Sequence, residues 1–247
     1  MKKKIVVVLA LILIASMVFV TGCGKKDAPG PESMNNNTAE EPAEEEEEAE
    51  EPAEEEISAV PSELLGTGTD SSYENEFFGF KFEAPEGWYV LSDEERGKAM
   101  GIASSEIDDE EILAMFESTG YAMDFYAMDV QNGDATTGAF SNLNITIQDV
   151  GKLYGMLYSE KEIAEASIAT VEQALAAQGA TDVKVEVGES EFLGETCVSM
   201  TTQSKAGGID MYQKQVYVKK GSAMACVTAT SFAENKTDEM LANFKAL

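Results

Sequence analysis

The sequence predicts an α+β domain, an antiparallel sheet layered with helices, over residues 67–247. Three observations predict it. After Ser159, apolar residues recur at helical spacing. From Val183 onward, period-two alternation runs through four segments separated by glycine-containing turns. Near the start, Phe78, Phe80 and Phe82 alternate with Gly79, Lys81 and Glu83, which is the period of a half-buried strand. Helices packed around one mostly antiparallel sheet bury both kinds of apolar face and give a layered α+β domain.

Residues 1–66 stand apart from that pattern. Met1-Lys-Lys-Lys is followed by an almost unbroken apolar run of 16 residues, Ile5 to Val20, and then Thr21-Gly22-Cys23. A basic start, an apolar middle and small residues at the exit form a secretory signal over 1–22, to be excluded from fold reasoning. The run is shorter than the roughly 20 residues that span a bilayer as a helix. Val20-Thr21-Gly22-Cys23 resembles the lipobox of bacterial lipoproteins. The resemblance implies cleavage before Cys23, acylation of its thiol and new amino group by palmitate-type chains, and a lipid anchor on the extracytoplasmic face of the cell membrane. Several acyl chains hold where one is marginal, because each buried CH₂ contributes about 0.8 kcal/mol. Residues 23–66 then form the lipidated cysteine and a disordered, glutamate-rich tether. Residues 24–65 carry 15 acidic side chains against Lys25 and Lys26, with too little apolar surface to offset the ordering entropy. Like charges at close spacing extend such a chain.

The domain opens with the Phe78–Phe82 strand. Ala84-Pro85-Glu86-Gly87 reads as a type I turn, and Trp88-Tyr89-Val90 as the returning strand of a hairpin. Ser92 with Glu95, and Asp108 with Glu111, have the spacing of helix caps. They frame short helices across 93–118, with Ile112, Met115 and Phe116 inward and Gly120 as the stop. Strands follow at 121–130 and 143–150. Ser159 and Glu162 form a capping box for the long helix, whose buried line is Ala164, Ile168, Val171 and Leu175, ending at Gly179. Strands around Val183–Val187 and at 196–204, 210–219 and 223–231 form a meander across Gly194, Gly207-Gly208 and Lys220-Gly221. A final helix from about Lys236 places Met240, Leu241, Phe244 and Leu247 on one face.

Within this order, Tyr73-x-Asn75, Phe78-Gly79-Phe80 and Pro85-x-Gly87-Trp88 resemble the opening of PsbP-like domains, the fold of the photosystem II extrinsic protein and the Ran-binding protein Mog. Phe125-Tyr126-Ala127, the strand Asn142-Leu143-Asn144-Ile145, the long helix, the meander and the closing helix are similar to that family's later order. The whole also resembles exported lipoproteins of Gram-positive bacteria. The resemblance implies a fold; its motifs are apolar and turn-forming and carry no catalytic residue across.

Composition narrows the chemistry. The net charge is −29, and residues 66–247 hold 31 acidic against 12 basic side chains. Such a field repels phosphate backbones and argues against a nucleic-acid partner. The chain contains no histidine, which removes Ser-His-Asp and Cys-His catalysis and the HExxH zinc sites. No Gly-x-Ser-x-Gly, Ser-x-x-Lys or phosphate-binding glycine loop occurs.

Individual candidates favour structure over chemistry. Phe78, Phe80 and Phe82 have core periodicity and Trp88, after a turn, plugs the sheet edge, while Phe77 has the opposite parity and is the one to examine for exposure. Asp124 and Asp129 differ in parity on one strand, so they do not form an acid and base pair. Asp129, Asn132 and Asp134 resemble a calcium loop superficially, without the spacing of an EF-hand. Cys197 and Cys226 fall on strands separated by an intervening one, about 10 Å apart and beyond disulfide reach, so both are expected as separate, buried thiols.

The expectation is therefore a non-catalytic, membrane-anchored extracytoplasmic lipoprotein with a binding or interaction domain. Its assigned site residue is Cys23, with no catalytic, metal or cofactor residue. Its partners are the membrane, through the lipid, and a protein or envelope component. Two alternatives are a secreted carboxylate- or metal-dependent hydrolase and a transporter-associated solute-binding protein. The second needs two lobes around a cleft, and the chain shows no internal duplication.

Overall fold

A computed structural model describes residues 60–92, 95–96, 121–149 and 158–247. Cys23, the glutamate-rich segment through residue 59, the Asp108 and Glu111 cap, and Ile112, Met115, Phe116 and Gly120 lie outside the described residues.

A 3-10 turn, Ser62–Leu64, leads into β1 (Thr67–Gly68), β2 (Ser72–Asn75), β3 (Phe80–Glu83) and β4 (Trp88–Val90). Then come β5 (Tyr121–Asp129), β6 (Asn142–Asp149), α1 (Glu160–Ala177) and the strands β7 (Thr181–Phe192), β8 (Glu195–Ala206), β9 (Ile209–Lys220) and β10 (Ala223–Phe232). A short helix, α2 (Thr237–Leu241), and β11 (Phe244–Ala246) close the chain.

The strands build two antiparallel sheets. A large one has the order β4-β5-β6-β10-β9-β8-β7, and a small one the order β1-β2-β3-β11. The last four long strands form the expected meander, joined to β6 through β10. The class is α+β, as the sequence predicts.

The principal core lies between the sheets. Tyr73, Phe80 and Phe82 from the small sheet pack with Phe125, Leu143, Ile145, Val227 and Phe244, all buried. Phe82 sits with its ring centroid 5.5 Å from Phe125 and 5.1 Å from Phe244. The other face of the large sheet receives α1. Ala164, Val171 and Leu175 meet Met200, Met211, Tyr217, Met224 and Cys226 there. The predicted capping box forms, with Ser159 Oγ accepting from Glu162 N while Glu162 returns to the Ser159 amide. Ser92 and Glu95 exchange the same reciprocal bonds.

Three local expectations are corrected. β3 and β4 are not a hairpin: β3 pairs with β2 and β11, whereas β4 pairs with β5 in the other sheet. The turn between them spans Pro85 to Trp88, one residue later than expected, with Trp88 N donating to Pro85 O at 3.1 Å and Gly87 at φ +87°. A side chain at that φ is strained, and a Cβ there would also strike Gln131. The turn thus carries the chain from one sheet to the other, and Trp88 keeps its ring 6.3 Å from Phe82 across the junction. The closing helix ends at Leu241. Asn243 Nδ2 donates to the Glu239 and Met240 carbonyls, and the chain straightens so that Phe244 pairs with Phe82. Leu247 is consequently 53 % exposed rather than part of a helical face.

Candidate functional site

Pleating sends alternate residues of each strand to opposite faces, and β6 divides cleanly. Leu143, Ile145 and Ile147 point into the principal core, while Asn142, Asn144, Thr146 and Gln148 take the face that carries α1. Register continues this polar face across the sheet. Asn142 lies opposite Thr230, Thr230 opposite Gln213, and Gln213 opposite Thr202. The next row runs Asn144, Thr228, Gln215, Met200. Every side chain in these rows is 4 % exposed or less, and none is charged. The strip lies between two apolar clusters, Leu91, Met123 and Tyr126 on the β5 side and the α1 contact on the other.

Its amides are only half satisfied. Asn142 Nδ2 donates to Phe140 O at 3.0 Å, Gln213 Nε2 donates to Thr230 Oγ1 at 3.2 Å, and the Tyr217 hydroxyl donates to Gln215 Oε1 at 2.9 Å. The opposite ends, Asn142 Oδ1, Gln213 Oε1 and Gln215 Nε2, are buried with no hydrogen-bond partner among the described residues, as are Ser204 Oγ and Gln148 Oε1. Buried polar groups in folded proteins are ordinarily met by protein or ordered water, so this strip is the candidate site. The sequence reading identified the β6 pattern only as an asparagine-containing strand. Its signal was the polar alternation Asn-x-Asn-x-Thr-x-Gln, opposite the core parity.

A second polar cluster ties the two sheets. A β-bulge between Met123 and Phe125 leaves Asp124 unpaired and turns its carboxylate toward β2. Asp124 Oδ2 accepts from Gly66 N at 2.7 Å and from the Tyr73 hydroxyl. Asn75 Nδ2 donates to Tyr73 Oη at 3.0 Å and to Leu64 O at 2.9 Å, and Asn75 Oδ1 accepts from Phe78 N at 2.8 Å. Burial pushes the Asp124 carboxyl above the usual carboxylate range, against the lowering effect of Tyr73, Gly66 N and the Arg96 guanidinium. Burial and the Asp124 charge push the Tyr73 hydroxyl up in turn. Asp124 is the only buried carboxylate among the described residues. Both of its named donors address one oxygen, so its geometry is that of a tie between elements.

The other singled-out residues are accounted for locally. Asp129 accepts from Gln131 N, Asn132 N and Asn132 Nδ2, and Asp134 from Thr136 N at 2.8 Å, so both carboxylates organise the β5–β6 turn. Thr136 and Thr137 hold the Asp134 carboxyl below its usual range. The parity count separating Asp124 from Asp129 does not survive the bulge, which shifts faces by one residue. Five residues of strand, about 16 Å, still keep them apart. Phe77 is 37 % exposed, and Phe78, Phe80 and Phe82 are buried. Cys197 and Cys226 are free thiols. Register puts Cys226 opposite Tyr217 on the α1 face, whereas Cys197 packs toward the principal core from the other face. Only Cys226 is fully buried; Cys197 is half-buried, because β8 lies next to the edge strand. Cys23 lies outside the described residues.

No protein-family model matches the chain, and no curated protein matches it. Solved structures do. Cyanobacterial PsbP (CyanoP) from Synechocystis sp. PCC 6803 is similar at 15 % identity and a TM-score of 0.44, over 73 % of this chain and 95 % of that one. LpqN of Mycobacterium tuberculosis, described as involved in cell envelope biogenesis, is similar at 9 % identity and a TM-score of 0.36, over 66 % of this chain and 76 % of that one. A protein of Bacteroides thetaiotaomicron VPI-5482 is similar at 11 % identity and a TM-score of 0.34, over 68 % and 45 %.

Proposed function

We propose that this protein is a lipid-anchored extracytoplasmic lipoprotein whose PsbP-like domain, residues 67–247, works by binding and not by catalysis. The observation that carries the binding reading is the uncharged, hydrogen-bond-rich strip across β6, β10, β9 and β8, with amide ends that meet no partner among the described residues. Amides and hydroxyls recognise; they supply neither a nucleophile with a base nor a titrating acid near neutrality. The buried carboxylate that could have supported a hydrolase, Asp124, is held by Tyr73 and Gly66 in a tie between sheets. The anchor reading is supported by Val20-Thr21-Gly22-Cys23, with the acidic segment to residue 66 as a spacer that holds the domain away from the membrane and its envelope partner within reach.

Labelling of cells with an alkyne fatty acid tests the anchor. The wild-type chain is expected to take up label and stay with the membrane fraction, and Cys23→Ala to lose both. Label and membrane retention persisting in Cys23→Ala would sink the lipoprotein reading.

A further inference from the structure

We propose that β7 is a pairing edge for a second copy of this chain, with two protomers joined antiparallel about a two-fold axis through Val185. The inference goes beyond the binding reading and stands independently of it. β7 is the outer strand of the large sheet, and among the described residues only β8 pairs with it. In an antiparallel ladder every second residue turns its N–H and C=O away from the neighbouring strand. Twelve residues of edge therefore present a row of donors and acceptors to a further strand. The side chains divide as cleanly as the backbone. Val183, Val185 and Val187 are half-buried on the face that carries α1, while Lys184 and Glu186 between them are exposed on the other.

Charge selects both the occupant and the register. An axis through Val185 sets Lys184 opposite the partner's Glu186 and Glu186 opposite the partner's Lys184, so two opposite-charge pairs form on the exposed face. On the other face Val183 meets the partner's Val187 and Val185 meets the partner's Val185, which carries the apolar layer under α1 from one protomer into the next. Other registers fail. An axis through Lys184 sets that lysine against itself and Asp182 against the partner's Glu186, and like charges directly opposite are destabilising. An axis through Glu186 sets that glutamate against itself, and one through Val187 lays Glu189 and Glu191 on the valines. An axis through Val183 falls on the bulge between Thr181 and Lys184, where Asp182 has φ +55°. Charged residues ordinarily keep an edge from pairing; here they fit one copy-to-copy alignment. The paired segment is short, 183–187, which suits a weak, reversible dimer.

Cysteine cross-linking in the full-length chain tests the pairing. Val185→Cys places two thiols across the axis with Cα atoms about 4.5–5.5 Å apart, inside disulfide range, and non-reducing electrophoresis is expected to show a linked dimer. Val187→Cys sets them about 14 Å apart and is expected to give no such band, as is the chain with its native cysteines alone. Sedimentation of the full-length chain in detergent reads the charges. Lys184→Glu or Glu186→Lys by itself sets like charges opposite and is expected to weaken dimerisation about tenfold, and the double reversal to restore it. Both positions are exposed, so this arm decides the matter even where the cysteine variant does not fold. A wild-type chain that stays monomeric at every concentration would overturn the assignment, as would a dimer indifferent to the charge variants. So would Val185→Cys linked to a chain of another mass, which would give the edge to a different protein.

Discussion

Asp124 shows how much one side chain can hold together. Its carboxylate meets the chain before β1 through Gly66 N and the small sheet through Tyr73, from a bulge in the large sheet. Removing the acceptor with Asp124→Ala strands both donors in the interior and is expected to cost about 1–3 kcal/mol. Asp124→Asn keeps an acceptor and removes the titration. Because burial raises this carboxyl in the folded state, the fold binds its proton more tightly than the unfolded chain does. Its contribution is therefore fully present below the unfolded carboxylate pKa and is lost as pH rises through the raised folded value. Urea titrations across pH 4–8 should show wild-type stability declining relative to Asp124→Asn over that interval, and parallel profiles would contradict the assignment. The cysteines allow a second check at this scale. Burial pushes the Cys226 thiol up to about 12 and also raises Cys197, assisted by the neighbouring Glu195. Iodoacetamide at pH 8 should modify Cys197 slowly and Cys226 only in denaturant, and peptide mapping without reductant should show no 197–226 link.

Among the elements, α1 was legible in the sequence because everything that defines it is local. Ser159 and Glu162 cap it, Ala164, Val171 and Leu175 give it a buried line, and Gly179 ends it at φ +85°. Ser159→Ala should destabilise the domain by about 1 kcal/mol, measured as a lower urea midpoint with unchanged slope. The meander was legible for the same reason, since each strand pairs with its sequence neighbour across a glycine turn. β3 and β4 were found as strands but given the wrong partner. Alternation of Phe78, Phe80 and Phe82 reports a half-buried strand and carries no information on which strand lies beside it. β11 was hidden because Met240, Leu241 and Phe244 satisfy helical spacing equally well, and only pairing with β3, more than 160 residues earlier, decides otherwise. The polar strip was hidden by the same non-locality: Asn142, Thr230 and Gln213 form one row only after three strands have been set in register.

At the scale of the whole molecule, that non-local pairing closes the domain. The small sheet takes β1, β2 and β3 from the start of the described domain and β11 from its end. The principal core therefore does not exist until both ends have met. Phe244 makes the junction, with its ring centroid 5.6 Å from Phe80, 5.1 Å from Phe82 and 5.4 Å from Phe192. Truncation after Lys236 removes α2 and β11 together and uncovers three aromatic rings that are otherwise buried. If the two sheets form one cooperative unit, this loss reaches far beyond the last eleven residues. The truncated chain should bind a hydrophobic dye, lose its near-ultraviolet dichroism and unfold over a broadened transition. Phe244→Ala, which keeps β11 and deletes only the ring, should instead unfold sharply with a stability about 3–5 kcal/mol lower. A truncated chain that still unfolded sharply, with wild-type dichroism, would mean that the large sheet and α1 stand alone and that the small sheet is an appendage to them.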